Sequence, residues 1–188
     1  MPVSFRLDRD RSQLLLVDIQ ERLAPHVEGH EALVARCDAL LEAARMFGIP
    51  KTLTEHCPGD IGPAVARLRA RFADGEIFAK TRFGATDHPH FASQFVDGRS
   101  QVVVAGMEAH VCVMQTALGL AATGLQVFVV EDAVGSRAAR AEDRRLALLR
   151  MREAGCTLLG TETVLFEWAR AGDDPAFRDT LRLVKALP

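Results

Sequence analysis

QVVVAGMEAHVCVMQTALGLAATG, residues 101–124, is the stretch of sequence that decides the fold. It begins with a short apolar and β-branched run, Val102 to Val104, which is typical of a buried strand. Gly106 ends this run, and after a short corner a helical pattern of apolar residues continues until Gly124. The pattern therefore predicts a strand, a sharp turn and a helix, which together are the repeating unit of parallel α/β sheets.

Cys112 falls in the first turn of this predicted helix. The unpaired backbone N–H groups and the dipole at a helix N-terminus favour negative charge, so we expect a thiol that ionises more easily than a free cysteine. A cysteine at such a position is a candidate nucleophile. Taken alone, however, a cysteine is more often a small hydrophobic residue of the core.

Further apolar runs alternate with helical patterns along the chain and predict a sheet of six strands. We expect the strands at residues 13–19, 51–54, 76–80, 102–104, 125–130 and 156–159. This alternation at short spacing, without a repeat or a linker, is typical of a single α/β domain over residues 1–188 with right-handed crossovers. The expected architecture is a Rossmann-like three-layer sandwich, with a parallel sheet in the common order 3-2-1-4-5-6 and helices on both faces.

Two charged residues stand where predicted strands end, Asp18 in the first strand and Lys80 in the third. In a sheet of this order, ligands bind beyond the carboxyl ends of the strands, in the crevice between strands one and four. Asp18 and Cys112 would share that crevice, and the Lys80 side chain is long enough to reach it. Taken singly, Asp18 is equally well explained as a loop-capping carboxylate, and Lys80 as a solvated strand end.

Composition argues against several classes of protein. Hydrophobic residues make up 48% of the 188 residues and charged residues 26%, which is the balance of a globular protein. The net charge of −2 provides no basic surface for nucleic acid and no polybasic membrane anchor. No apolar run approaches the roughly 20 residues that span a bilayer. The four cysteines form no C-x-x-C pair, so we expect a cytoplasmic protein with reduced thiols.

Three segments, taken in order, resemble the isochorismatase-like cysteine hydrolase family. They are LLLVDIQERLAP around Asp18, KTRFG at Lys80 and VVVAGMEAHVCVMQTALGL around Cys112. The resemblance covers essentially the whole chain, and GMEAHVCVMQTAL and TEHCPGDIGP are similar to isochorismatase domain-containing proteins of unassigned substrate. It implies a catalytic triad in which Cys112 is the nucleophile, Asp18 accepts and donates the proton, and Lys80 is the third member.

The resemblance also implies a cis peptide bond between Met107 and Glu108, and an oxyanion hole formed by the backbone N–H groups of Glu108 and Cys112. The expected reaction is hydrolysis of the C–N bond of a small amide through a thioester on Cys112, without a cofactor. Because members of the family commonly form dimers or larger assemblies, a homo-oligomer is expected.

Candidate walls of the substrate pocket are the residues that flank this triad in sequence or shape the corner before the cysteine: Leu23, His56, Cys57, Phe83 and His110. His110 is either a packed histidine of that corner or a proton carrier. The nicotinamidases of the family bind a metal through an Asp-x-His pair and a further histidine after the second strand. Here the corresponding TEHCPGDIGP contains one histidine, so no metal site is expected. His56, Cys57 and Asp60 are residue types that bind zinc, but at this spacing they are a weak signal.

Two other functions remain open at this point. An isochorismatase proper would cleave a vinyl ether by acid catalysis and would not need the thiol. A catalytically silent member would keep the fold for assembly with other proteins. The complete set of Asp18, Lys80 and Cys112 favours the cysteine hydrolase over both.

Overall fold

The structure, a computed structural model, describes residues 5–188. The strands in this range are β1 (Ser12–Val17), β2 (Lys51–His56), β3 (Ile77–Lys80), β4 (Gln101–Met107), β5 (Gln126–Gly135) and β6 (Thr157–Leu159). They form one parallel sheet in the order β3-β2-β1-β4-β5-β6. This confirms the predicted fold class and strand order.

Helices cover both faces of the sheet. They are α1 (His30–Met46), α2 (Pro58–Ile61), α3 (Ala66–Arg69), α4 (Met114–Ala122), α5 (Ala141–Glu153), α6 (Thr161–Ala169) and α7 (Phe177–Lys185). Short 3-10 turns lie at Ala24–His26, Asp74–Glu76, Ala85–Asp87, Phe91–Gln94 and Ala138–Arg140, and a π-helical turn at Ala109–Val113. None of the helices between residues 5 and 188 combines the length and apolar character needed to cross a membrane.

The central strand β1 is buried on both faces, because its side chains alternate between two apolar layers. Leu14 and Leu16 belong to the layer that contains buried residues of α1, α3 and α6. Leu15 and Val17 belong to the opposite layer, with buried residues of α4 and α5. The sheet is therefore the middle of three layers, and its carboxyl edge is the place where loops from both layers converge.

The fifth strand is longer than the sequence predicts. The prediction ends it at Val130, before the segment EDAVGS, whose first two residues are the carboxylates Glu131 and Asp132. In the structure β5 continues to Gly135, beyond an irregularity in its pairing with β4, and both carboxylates are exposed to solvent. Asp132 accepts hydrogen bonds from the backbone N–H and hydroxyl of Thr161, each at 2.8 Å, where α6 begins. Asp132 therefore satisfies two donors at the start of α6 from within the continued strand.

Strands β1 and β4 approach so closely at the carboxyl edge that only glycine fits at position 106. Gly106 pairs with Val17 and has a φ of +136°. A Cβ atom there would lie 2.1 Å from the carbonyl oxygen of Val17. We expect Gly106→Ala to lower the free energy of unfolding by about 3 kcal/mol or more, because the atoms that would have to move belong to the backbone of a buried strand.

Denaturant unfolding of the purified variant measures this loss. Gly124→Ala is the matched control, because Gly124 has a φ of +87° and a Cβ atom there would meet no atom of a distant residue within 4 Å. It should lose only about 1 kcal/mol, the cost of the left-handed backbone. Equal losses at the two positions would show that the close approach of β1 and β4 does not matter.

Candidate active site

Asp18 directly follows β1 at the carboxyl edge of the sheet. Its backbone has a φ of +50°, in the left-handed region that aspartate tolerates better than most residues. The residue is 1% exposed, and a buried carboxylate requires partners for its oxygens. The Thr54 hydroxyl donates to Oδ1 and the Lys80 ammonium donates to Oδ2, both at 2.6 Å. The carboxylate is thus held from two neighbouring strands, β2 and β3.

Lys80 is the last residue of β3, and its side chain is fully buried. Its Nζ atom donates to Asp18 Oδ2 and to the carbonyl oxygens of Arg82 and Phe83, the last two at 3.2 Å. An ammonium group has three protons to donate, so each proton has an acceptor. These contacts fix the position of the Lys80 side chain. Its positive charge balances the negative charge of the buried Asp18 carboxylate.

Cys112 lies in the π-helical turn between β4 and α4, and is 7% exposed. The prediction that it occupies the first turn of an α-helix is wrong, because the α-helix begins two residues later at Met114. Single π-turns of this kind occur often at functional sites. The Cys112 thiol lies near both the Asp18 carboxylate and the Lys80 ammonium, and both groups act on its pKa. The structure therefore brings together the three residues that the sequence singled out.

The surroundings raise the pKa of the Cys112 thiol, opposite to the expectation from the helix dipole. Burial is the largest cause, followed by the negative charge of Asp18 and, to a smaller extent, by a hydrogen bond to its carboxylate. The positive charge of Lys80 acts in the other direction without outweighing them. The raised pKa favours the neutral thiol, so formation of the thiolate requires a group that takes its proton.

The segment before the cysteine is tied to the residues that follow β5. The Met107–Glu108 peptide bond is cis. Oε1 of Glu108 accepts hydrogen bonds from the backbone N–H of Arg137 at 3.1 Å and from its Nε at 2.9 Å. Two residues further on, Nδ1 of His110 lies 2.9 Å from Oγ of Ser136. Two adjacent residues after β5 thus anchor the start of the π-helical turn.

A cavity of about 140 Å³ opens beside the three residues. Its walls are formed by Asp18, Leu23, His56, Ile61, Phe83, Glu108, Val111 and Cys112. The structure places three of the predicted pocket residues, Leu23, His56 and Phe83, in these walls. The rings of His56 and Phe83 are in contact, with their centroids 5.1 Å apart.

Two predicted pocket residues, Cys57 and His110, are not part of these walls. Cys57 follows β2 with a φ of +41°, and its backbone N–H donates to the carbonyl oxygen of Lys80 at 2.8 Å. It therefore links β2 to β3 at the start of α2. The ring of His110 is engaged by Ser136 instead of the cavity.

Three residues of the site were missed from the sequence. Ile61 and Val111 line the cavity, and Thr54 binds the Asp18 carboxylate. Val111 could have been found from its position next to Cys112, and Thr54 as a polar residue within a buried strand. Ile61 belongs to the short helix α2, and no sequence signal places it near the cysteine.

The described part of the chain contains no cluster of three or more His, Cys, Asp or Glu side chains that could hold a metal ion. His56 lies in the cavity wall beside Phe83, whereas Cys57 lies outside it. The histidine, cysteine and aspartate of TEHCPGDIGP therefore do not form a ligand cluster.

Known proteins resemble this chain over nearly its full length. The Isochorismatase domain family model matches residues 12–163. Isochorismatase domain-containing protein 2 from Bos taurus is 36% identical over 187 residues, an alignment that covers 98% of this chain and 88% of the relative.

Solved structures show the same architecture. The MAR1 ribonuclease from Caenorhabditis elegans has a TM-score of 0.89 and 32% identity, covering 97% of this chain and 94% of its own. YcaC from Escherichia coli, described as an octameric hydrolase of unknown specificity, has a TM-score of 0.85 and 28% identity over 100% of both chains. YcaC from Pseudomonas aeruginosa was solved with hexane-2,5-diol and covalent acrylamide. It has a TM-score of 0.85 and 27% identity, and the match covers 99% of this chain and 98% of its own. With the family model matching most of its length, this chain belongs to the isochorismatase family.

Proposed function

We propose that this protein is a cysteine hydrolase that cleaves the C–N bond of a small amide through a thioester on Cys112, without a metal. One observation supports this most directly. A single thiol in the wall of a cavity lies close enough to a buried carboxylate, Asp18, and a buried ammonium, Lys80, for both to act on its pKa. A nucleophile, a base to take its proton and a cation to offset the resulting charge are the groups that covalent catalysis by cysteine requires.

Acylation begins when Asp18 accepts the thiol proton and the Cys112 sulfur attacks the carbonyl carbon of the amide. The C–S bond forms, and the negative charge passes to the carbonyl oxygen. We assign the stabilisation of this oxyanion to the backbone N–H groups of Glu108 and Cys112, two residues of the cavity wall. The C–N bond then breaks as Asp18 returns the proton to the departing nitrogen, and the acyl group remains on sulfur.

Deacylation reuses the same groups. Asp18 accepts a proton from water, the resulting hydroxide attacks the thioester, and the C–S bond breaks. The sulfur regains a proton from Asp18, and the carboxylic acid leaves. The net reaction is amide plus water to carboxylic acid plus amine or ammonia. Lys80 transfers no proton; its role is to balance the negative charge that alternates between Asp18 and Cys112.

A related structure supports the covalent step. YcaC from Pseudomonas aeruginosa, which resembles this chain over nearly its whole length, was solved with covalent acrylamide. Acrylamide is an electrophile that reacts with thiolates. In this chain Cys112 is the thiol that lines the cavity.

The proposal is tested by a broad panel of primary and secondary amides, with release of ammonia or amine as the readout. For any substrate that is cleaved, we expect mass spectrometry to find an acyl adduct on the peptide that contains Cys112. Added hydroxylamine should release the acyl group as a hydroxamate, because a thioester reacts readily with it. Turnover that proceeds with Cys112 unmodified and without hydroxamate would contradict the thioester route.

Thr54 is proposed as a positioning residue, since its hydroxyl donates to Asp18 Oδ1 at 2.6 Å in a buried setting. Thr54→Val keeps the shape and removes the donor. We expect kcat to fall about tenfold with little change in KM, the cost of leaving one oxygen of a buried carboxylate unpaired. Thr54→Ser keeps the hydroxyl and should retain most of the activity. Equal losses in both variants would indicate that packing of the threonine methyl group, and not the hydrogen bond, is what counts.

The silent alternative makes a different prediction. If the fold serves only assembly, the Cys112 thiol is not activated as a nucleophile. An acrylamide-type probe should then leave it unlabelled. We expect the probe to label Cys112. We also expect an amide that the protein cleaves to slow this labelling by competing for the cavity. Mass spectrometry of the labelled peptide distinguishes the two.

We also infer that the chain forms a homo-oligomer, because the similar YcaC from Escherichia coli is described as octameric. Multi-angle light scattering of the purified protein should therefore give a mass several times that of one chain. A monomeric mass at micromolar concentration would contradict the inference.

A further inference from the structure

The cavity beside Cys112 limits which amides can enter. Its volume of about 140 Å³ is well below the roughly 300–1,000 Å³ of pockets that hold drug-sized ligands. The amide group itself occupies part of this space, which leaves room for a short acyl chain.

Half of the cavity wall is apolar. Its apolar members are Leu23, Ile61, Phe83 and Val111. Phe83 is half exposed, and its ring is in contact with the ring of His56 at a tilt of 32°. An aliphatic group placed against these side chains would leave water, which favours its binding in proportion to the apolar area buried.

The charged groups of the wall are already paired. Asp18 forms its ion pair with Lys80 at 2.6 Å, and Glu108 forms one with Arg137 at 2.9 Å. All three donors of the Lys80 ammonium have acceptors within the protein. Among the described residues, the wall contains neither a lysine nor an arginine. A carboxylate on a substrate would therefore meet no lysine or arginine in the wall, and its nearest unpaired polar side chain there is His56, whose buried Nδ1 atom has no hydrogen-bond partner. Burying a charge without a counter-ion is unfavourable.

We propose that this cavity selects short, uncharged aliphatic amides and rejects amides that carry a carboxylate. The reaction rests on the proposed chemistry of Cys112, whereas the selectivity rests only on the size and charge of the cavity. Isochorismate carries two carboxylates and a six-membered ring, so the proposed selectivity disfavours it on charge and on size. The proposal therefore argues against the alternative vinyl-ether reaction.

The charge preference can be measured without any turnover, by alkylation of Cys112. Iodoacetamide and iodoacetate have almost the same shape and differ in charge. Cys57, a half-buried thiol outside the cavity wall, is the internal reference, and a small free thiol in the same solution gives a second one. We expect the ratio of iodoacetamide to iodoacetate rates at Cys112 to exceed the reference ratio by at least about tenfold. Equal ratios would overturn the proposal.

The second arm uses hydrolysis. Malonamide and malonamate have the same number of non-hydrogen atoms and differ in charge, and we expect kcat/KM to be about 100-fold higher for malonamide. Along a series from acetamide to octanamide, kcat/KM should pass through a maximum at a short chain. Ile61→Ala, which widens the wall, should move this maximum to a longer chain. Cleavage of malonamate as fast as malonamide would overturn the selectivity.

The two arms separate the two proposals. If Cys112 prefers iodoacetamide but no uncharged amide is cleaved, the amide chemistry is wrong and the selectivity of the cavity stands. If amides are cleaved but the charged and uncharged members of each pair react alike, the chemistry stands and the selectivity is wrong.

Discussion

Replacing Cys112 with alanine is expected to reduce amide hydrolysis by at least about 10⁴-fold, because the proposed thioester cannot form without the sulfur. The remaining groups of the site, Asp18 and Lys80, would still be present, but neither supplies a nucleophile positioned in the cavity wall. The rate of ammonia release, measured on a substrate that the wild type cleaves, gives the size of the loss. Retention of more than a few per cent of the activity would rule out Cys112 as the nucleophile.

Cys57→Ala is the matched control, since it removes a second thiol that lies outside the cavity wall. Its activity should remain close to that of the wild type. Cys112→Ser separates the amide reaction from the isochorismatase alternative, because cleavage of a vinyl ether by acid catalysis does not use the thiol. An unchanged rate of Cys112→Ser on isochorismate would favour that alternative.

Replacing Asp18 with asparagine is expected to have two opposite effects. Hydrolysis should fall by roughly 10²–10⁴-fold, because the base that takes the thiol proton is lost. Alkylation of Cys112 near neutral pH should become faster. Burial raises the pKa of the Cys112 thiol most, the negative charge of Asp18 raises it further, and Lys80 lowers it. Without the carboxylate the pKa falls, so a larger fraction of the thiol is ionised at a given pH.

The rate of alkylation by iodoacetamide, followed against pH, measures the second effect. The curve of Asp18→Asn should be displaced toward lower pH than that of the wild type, whose thiolate forms only in alkaline solution. Asp60→Asn, a change at an exposed carboxylate of the neighbouring helix α2, should alter neither hydrolysis nor alkylation. Slower alkylation in a folded Asp18→Asn protein would mean that the carboxylate does not raise the pKa of the thiol. Circular dichroism establishes that the variant is folded, since the change leaves the buried Lys80 without its ion-pair partner.

The fold and the three central residues could be predicted because their signals are local. Buried parallel strands appear as short apolar runs, and the alternation of these runs with helical patterns is sufficient to define the sheet. The strand order places the residues after β1 and β4 at one crevice. Asp18 and Cys112 follow from that rule, and the three motifs that resemble the family agree with it.

The predictions that were wrong concern properties that depend on the surroundings. The fifth strand was predicted to end at Val130, but its pairing with β4 continues past that residue. The position of Cys112 near a helix start indicated an acidic thiol, but burial and the charge of Asp18 raise its pKa. In both cases contacts with segments distant in sequence decided the outcome.

By itself, then, the sequence determined the architecture, the strand order and the family, because each follows from periodicity and from motifs that are continuous along the chain. Only the tertiary structure decided the state of the Cys112 thiol, the size and charge of the cavity, and the contact of Thr54 with Asp18. These properties depend on distances and burial among β1, β2, β3 and the π-helical turn, and no pattern within any one of those segments encodes them.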